Sequence, residues 1–220
     1  MKNIITILTL ALTLSAGAQN FEGTITWKVN YTANDTISLR ALRETVTKSY
    51  IWAFKDGNHR LSEIGGTESH DLLWLAKKQQ YYSLDAKSRI YWRPTVGHWA
   101  TAKASDKQVV TNTGEQRVIF GFHCTKYIVT PKGDIPGLPE IRWVYWVTTE
   151  IKGLDMRTMP FPGNGNGIIQ FLFHQDISGM PMLIETPNPM FNMSIEVGSV
   201  SRKDVPPATF VIPTNFKEFK

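Results

Sequence analysis

Cysteine is nearly absent from this chain, which carries only Cys124. One cysteine excludes an internal disulfide, so the fold must rest on its apolar core. Lying far from the N-terminus, it also excludes a lipid attached to a cysteine at a processed N-terminus. Cys124 sits between His123 and Thr125 on an expected strand and reads as a small buried hydrophobe. Long apolar runs are equally scarce. The first, Ile4 to Leu14, would span roughly 16 Å as a helix, about half a hydrocarbon core. With Lys2 before it and Ala16-Gly17-Ala18 after it, this run reads as a cleavable secretory signal. No later run is long enough to cross a membrane as a helix. The expected organisation is a signal peptide over residues 1–18 and one β-rich envelope domain over 19–220, soluble after cleavage, with no transmembrane segment.

Concentrated charge is missing as well. Lysine and arginine number 24 against 19 acidic residues, for a formal net charge of +5. The longest basic runs, Lys77-Lys78 and Arg202-Lys203, are short beside the clusters that nucleic acid requires, so no nucleic-acid partner is expected. Signatures of chemistry are missing too. Gly163, Gly165 and Gly167 alternate with asparagine, but no Lys-Ser/Thr follows, and a flexible lip fits better than a phosphate cradle. The five histidines, His59, His70, His98, His123 and His174, show no pair at metal-ligand spacing. No Gly-x-Ser-x-Gly turn occurs. Carboxylate pairs such as Glu63 with Glu68 and Asp134 with Glu140 read as solvated. No catalytic residue, metal or cofactor is expected, and the protein is read as non-enzymatic.

What the chain does have is β-patterning. GFHCTKYIVT and IRWVYWVTTEI, joined by PKGDIPGLPE, predict a hairpin rich in β-branched and aromatic residues. In the second run Ile141, Trp143, Tyr145 and Val147 share one face. FEGTITWKVNY puts Ile25, Trp27, Val29 and Tyr31 on one face and threonine, lysine and asparagine on the other. SYIWAFK and HRLSEI are linked through Asp56-Gly57, a strong hairpin signal. HDLLWLAKK, QQYYSLDAK and RIYWRP continue the series at 8- to 12-residue spacing, which predicts an antiparallel meander. KQVVTNT leads into the central hairpin, PMLIETPNP pairs with MFNMSIEVGSVSRK, and ATFVIPTNF forms a last edge. Helices are expected over ISLRALRETVTK and, in preference to a buried strand, over GIIQFLFHQDI. The fold class is therefore mainly β: a curved antiparallel sheet with one or two helices packed on it.

The apolar residues are segregated by type. All seven tryptophans lie in the first three-quarters of the chain, while every methionine after Met1 falls from Met156 onward. Aromatics make rigid walls and methionines adaptable ones, a combination that suits a pocket for a flexible apolar ligand as well as an ordinary core. The candidate cavity wall is Trp27, Tyr31, Trp52, Phe54, Trp143 and Tyr145.

Several short motifs carry a family resemblance. They are G-x-x-C-x-K-Y-x-V at Gly121–Val129, the Y-W-V-T strand at Tyr145–Thr148, G-x-P-x-x-I-E at Gly179–Glu185 and V-P-x-x-x-F-x-x-P at Val205–Pro213. Phe21–Ile25, as F-x-G-x-I, and KDGNHRLSEI agree with them. With these the chain resembles an exported bacterial family, domain of unknown function 4412. The resemblance implies a half-barrel like that of the outer-membrane lipoprotein carriers (LolA/LolB-like), a curved sheet whose hollow holds acyl chains. It implies residence in the periplasm or outer envelope of a Gram-negative bacterium, and it supplies no catalytic residues. GDIPGLPE and residues 163–167 depart from the pattern and bear on the mouth of such a hollow. The expected function is to bind or carry a lipid or other apolar ligand. The alternative is a cell-surface structural or interaction protein with an envelope protein partner and no small-molecule ligand.

Overall fold

The computed structural model describes residues 21–33, 46–66, 70–98, 108–131, 142–155, 157, 159–162, 172, 174, 176–187 and 191–219. The strands are β1 (Gly23–Ala33), β2 (Ser49–Lys55), β3 (Asn58–Ile64), β4 (His70–Leu75), β5 (Gln80–Asp85), β6 (Ile90–Trp92), β7 (Val96–His98), β8 (Gln108–Ile119), β9 (Phe122–Pro131), β10 (Trp143–Thr148), β11 (Pro160–Pro162), β12 (Met180–Pro187), β13 (Phe191–Ser201) and β14 (Lys217–Glu218). Twelve of them form one curved open sheet in the order β14-β6-β5-β4-β3-β2-β1-β13-β12-β10-β9-β8, and β7 pairs with β11 as a separate ribbon. Pairing is antiparallel throughout except between β14 and β6 at one edge.

Two meanders make up this sheet, and β1 with β13 joins them. The seam runs from Thr24 opposite Ser201 to Ala33 opposite Phe191. Ladder irregularities at Thr26/Trp27, Trp146/Val147 and Asn112/Gln116 add local bend, which is one physical source of the curvature. At the first of these, Trp27 Nε1–H reaches past β13 to donate to the Pro181 carbonyl of β12 at 3.0 Å. Asp56 and Gly57 take φ of 52° and 74°, the double left-handed turn that the β2–β3 register needs.

One face of the sheet, the inner one, carries the large apolar cluster. Ile25, Trp27 and Val29 of β1 meet Tyr50, Trp52 and Phe54 of β2, Ile195 of β13 and Ile184 of β12 within it. The outer face is also covered at one end. Ala53, Leu73, Tyr82 and Leu84 form a second cluster with Val205 and Phe210 of the C-terminal segment. Strands β4 and β5 are thus buried on both faces there, which is why HDLLWL and QYYSLD read as apolar runs without clean alternation. The segment is fastened by Lys55, which pairs with Asp204, and by Arg60 Nη1, which donates to the Thr209 carbonyl at 3.0 Å.

Two motif glycines are places of close approach. A Cβ on Gly23, at φ 139°, would stand 1.9 Å from the Ser201 carbonyl oxygen, and one on Gly179, at φ 108°, 2.4 Å from that of Thr148. Gly23→Ala is therefore expected to cost more than about 3 kcal/mol, combining backbone strain with a clash that only strand separation relieves. Chemical denaturation of the variant measures it.

The expected one or two helices are not borne out. Among the described residues only Leu172, inside GIIQFLFHQDI, is α-helical and no whole α-helix is described, while 34–45 and most of 167–177 lie outside them. Where the first segment re-enters, Lys48 is extended: its N–H donates to Ile64 and its carbonyl accepts from Val29. Inter-strand bonding has overridden the helical spacing at that end. ATFVIPTNF is not a strand either. Pro207 opens a 3-10 turn, Pro207–Phe210, and the sheet edge is formed later by β14. Residues 1–18, 133–140 and 163–167 lie outside the described residues, and with them the expected signal peptide and both departures from the family pattern.

Candidate functional site

The register of the first meander places aromatic side chains directly opposite one another. Tyr81 of β5 faces Trp74 of β4, Trp74 faces His59 of β3, His59 faces Phe54 of β2, and Phe54 faces Gly23. Neighbouring rings along this row lie 5.0, 6.3 and 6.1 Å apart, in order from Tyr81–Trp74 to His59–Phe54. Trp52 packs beside the row, 4.9 Å from Phe54 and 6.3 Å from Trp27. Cross-strand aromatic contacts of this kind stabilise the sheet and make a stiff wall.

His59 is the one polar member, and its bonds fix its state. Trp52 Nε1–H donates to His59 Nδ1 at 3.1 Å, so the proton of the neutral ring belongs on Nε2. Nε2 stands 3.1 Å from the Tyr81 hydroxyl, which itself donates to the Pro160 carbonyl at 2.6 Å. A directed chain, Trp52 to His59 to Tyr81 to Pro160, therefore ties β2, β3 and β5 to the β7–β11 ribbon. Burial pushes the His59 pKa down to about 3, and burial raises that of Tyr81 well above the usual phenol value. Both groups are neutral across the physiological range.

Of the predicted wall residues, Trp27, Trp52, Phe54 and Tyr145 are buried in the inner cluster, and Tyr31 and Trp143 are half-buried against it. Burial raises the pKa of the Tyr145 and Tyr31 hydroxyls. The methionines join them: Met180 and Met182 are fully buried in the same cluster, with Met159 and Met193 at its margin. Sequence reasoning missed Trp74, His59 and Tyr81. The turn at Asp56-Gly57 was their signal, since it sets Phe54 opposite His59 and thus aligns the row that follows.

Two surface depressions occur elsewhere. One, of about 380 Å³, is lined by Asn30, Lys126, Arg142, Glu185 and Ser194 among others; the second, of about 290 Å³, lies between residues 149–155 and 178–179. Asn30, Glu185 and Ser194 alternate along their strands with inner-face residues, so the larger trough belongs to the outer face. None of the wall residues lines either depression. Among the described residues no cluster of three or more His, Cys, Asp or Glu could hold a metal ion. Nor is any described helix long and apolar enough to cross a membrane.

Three solved structures match this chain at low similarity. The Mycobacterium tuberculosis lipoprotein LppX is 9% identical over 83% of this chain and 90% of its own, with a TM-score of 0.34. LprF from Mycobacterium bovis is 12% identical over 83% and 89%, with a TM-score of 0.32. A LolA superfamily protein from Nitrosomonas europaea is 10% identical over 87% and 90%, with a TM-score of 0.24. At such scores the likeness carries no functional argument. No curated protein matches the sequence significantly. The family evidence is direct: a model described as a domain of unknown function, DUF4412, matches residues 36–216, and the chain belongs to that family.

Proposed function

We propose that the protein is a non-enzymatic exported protein that binds or carries a lipid or other apolar ligand on the inner face of its curved sheet. The observation that supports this reading is the joining of rigid and adaptable apolar walls: Trp27, Trp52, Phe54 and Tyr145 share one cluster with Met180 and Met182. Such a surface recognises area more than polar groups, and each methylene of an acyl chain buried on it contributes about 0.8 kcal/mol. Tyr31 and Trp143, at the margin, are where a ligand would first make contact. Residues 1–18 act as the export signal in this reading, and the periplasm or outer envelope is the destination.

The test is native mass spectrometry of the mature protein from its own envelope, followed by organic extraction and uptake of a fluorescent fatty acid. A bound species of lipid mass is the expected result; a clean apo mass without uptake overturns the reading. Trp143→Glu is expected to weaken uptake at least tenfold, since it places a charge on the wall, while thermal unfolding stays close to wild type. Trp52 is unsuited to this test, because its indole N–H is part of the His59 chain.

A second reading has its own support. The two depressions just described lie away from the wall. That favours a cell-surface structural or interaction protein in which the inner cluster is simply core.

A further inference from the structure

The β8–β9 hairpin turns at Phe120-Gly121, with φ of 52° and 81°. A two-residue turn with both positions left-handed is met without strain by Asn-Gly or Gly-Gly. A bulky aromatic in that conformation is an outlier, and such outliers point to function when nothing structural accounts for them. Packing does not account for this one: Phe120 is 51% exposed and nearby Val118 59%. The hairpin also stands clear of its surroundings. Thr111 through Val118 are all exposed, and a Cβ on Gly114 or Gly121 would meet nothing within 4 Å.

The tip is nonetheless held in place. Ile119 and Cys124 are buried in the inner cluster, and Glu150 accepts the His123 backbone N–H at 3.2 Å while its other oxygen lies 2.8 Å from the His123 ring. Val118 and Phe120 are therefore displayed outward on a fixed, convex point. Ionised side chains close by are Arg117, whose guanidinium lies 5.2 Å from the Trp146 ring, Lys126 and Lys152, against Glu115 and Glu150. The balance is positive.

We propose that this tip docks the protein on an anionic lipid surface, Val118 and Phe120 entering the interfacial layer while Arg117 and Lys152 meet headgroup phosphates. A convex tip presenting two apolar side chains offers far less than the roughly 800 Å² per partner of a stable protein interface. A bilayer interface needs no complementary shape, and it favours an aromatic ring beside cationic groups. The inference stands apart from the ligand reading, since it concerns a different surface and is tested without ligand.

Co-sedimentation of the mature protein with vesicles of phosphatidylethanolamine and phosphatidylglycerol tests it, with Phe120→Asn as the variant. Asparagine suits the turn, so the variant is expected to melt at a higher temperature than wild type. Its partitioning to vesicles is expected to fall at least about tenfold, with high salt weakening the wild type as well. A variant that melts lower would mark Phe120 as a packing residue and overturn the proposal. So would a variant that pellets like wild type. A wild-type protein that ignores these vesicles overturns it too, and cross-linking of the tip to a protein would then assign it to a protein partner.

Discussion

Ending the chain at Lys203 is expected to abolish the cooperative unfolding transition. The segment beyond it supplies Val205 and Phe210 to the outer cluster, with Ile212 and Phe216 packed at its margin. Its loss uncovers Ala53, Leu73, Tyr82 and Leu84 on the outer side of strands whose inner side is already core. Each buried apolar side chain contributes about 1.5–3 kcal/mol, so several together match the 5–15 kcal/mol by which a domain is usually stable. Phe210→Ala alone is expected to lower stability by about 3 kcal/mol, through lost burial and the void left beside Leu73 and Tyr82. Urea denaturation followed by tryptophan fluorescence measures both. A truncated chain that unfolds cooperatively, within about 1 kcal/mol of the full chain, would show the outer cluster to be dispensable.

His59→Phe is expected to produce a stability difference that changes sign with pH. At neutral pH the variant leaves the Trp52 N–H and the Tyr81 oxygen without their ring partner, at a cost of about 2–3 kcal/mol. Wild type carries an acid liability instead. Burial holds the folded pKa of His59 at about 3, below the ordinary value of 6.5. The unfolded chain therefore binds the proton first as pH falls. The contribution of His59 to stability is complete above about pH 6.5 and then declines by about 1.4 kcal/mol per pH unit towards the folded pKa. Phenylalanine has no such slope. The stability curves of the two proteins are expected to cross near about pH 4.5, where the lost hydrogen bonds and the protonation penalty balance. Denaturation midpoints of both proteins at pH 7, 5.5 and 4 provide the check, and a gap independent of pH would mean that the imidazole is not buried in its neutral form.

Both predictions concern features that local patterning conceals. The helical spacing of Leu39, Leu42 and Val46 is a local signal, yet Lys48 is extended because β1 and β3 take up its backbone groups. His59, taken alone, reads as an ordinary surface or core histidine. Its meaning arises from Trp52 seven residues before it and Tyr81 twenty-two after it. Likewise ATFVIPTNF carries strand-forming residues but serves as a cover on the outer face, a role set by exposed apolar groups on β4 and β5. Phe120, by contrast, stood in plain view beside Gly121. That the pair forms a hairpin turn, however, follows only from the pairing of Ile119 with Phe122, since the sequence places Gly121 at the start of a strand.

The sequence by itself determined β1 and the β2–β3 hairpin, because alternation in β1 and turn chemistry at Asp56-Gly57 act over a few residues and need no distant partner. It also marked the aromatic and methionine residues as the apolar material of the fold, for a pocket wall or for core, since no charge cluster or catalytic motif competes with them. Only the tertiary structure decided that β1 pairs with β13, bringing the aromatic half against Met180 and Met182. Only it decided which face of β4 and β5 meets the C-terminal segment. The physical reason is range: hydrogen-bond pairing and burial between segments more than a hundred residues apart depend on how the whole sheet bends, and no local window of sequence contains that information.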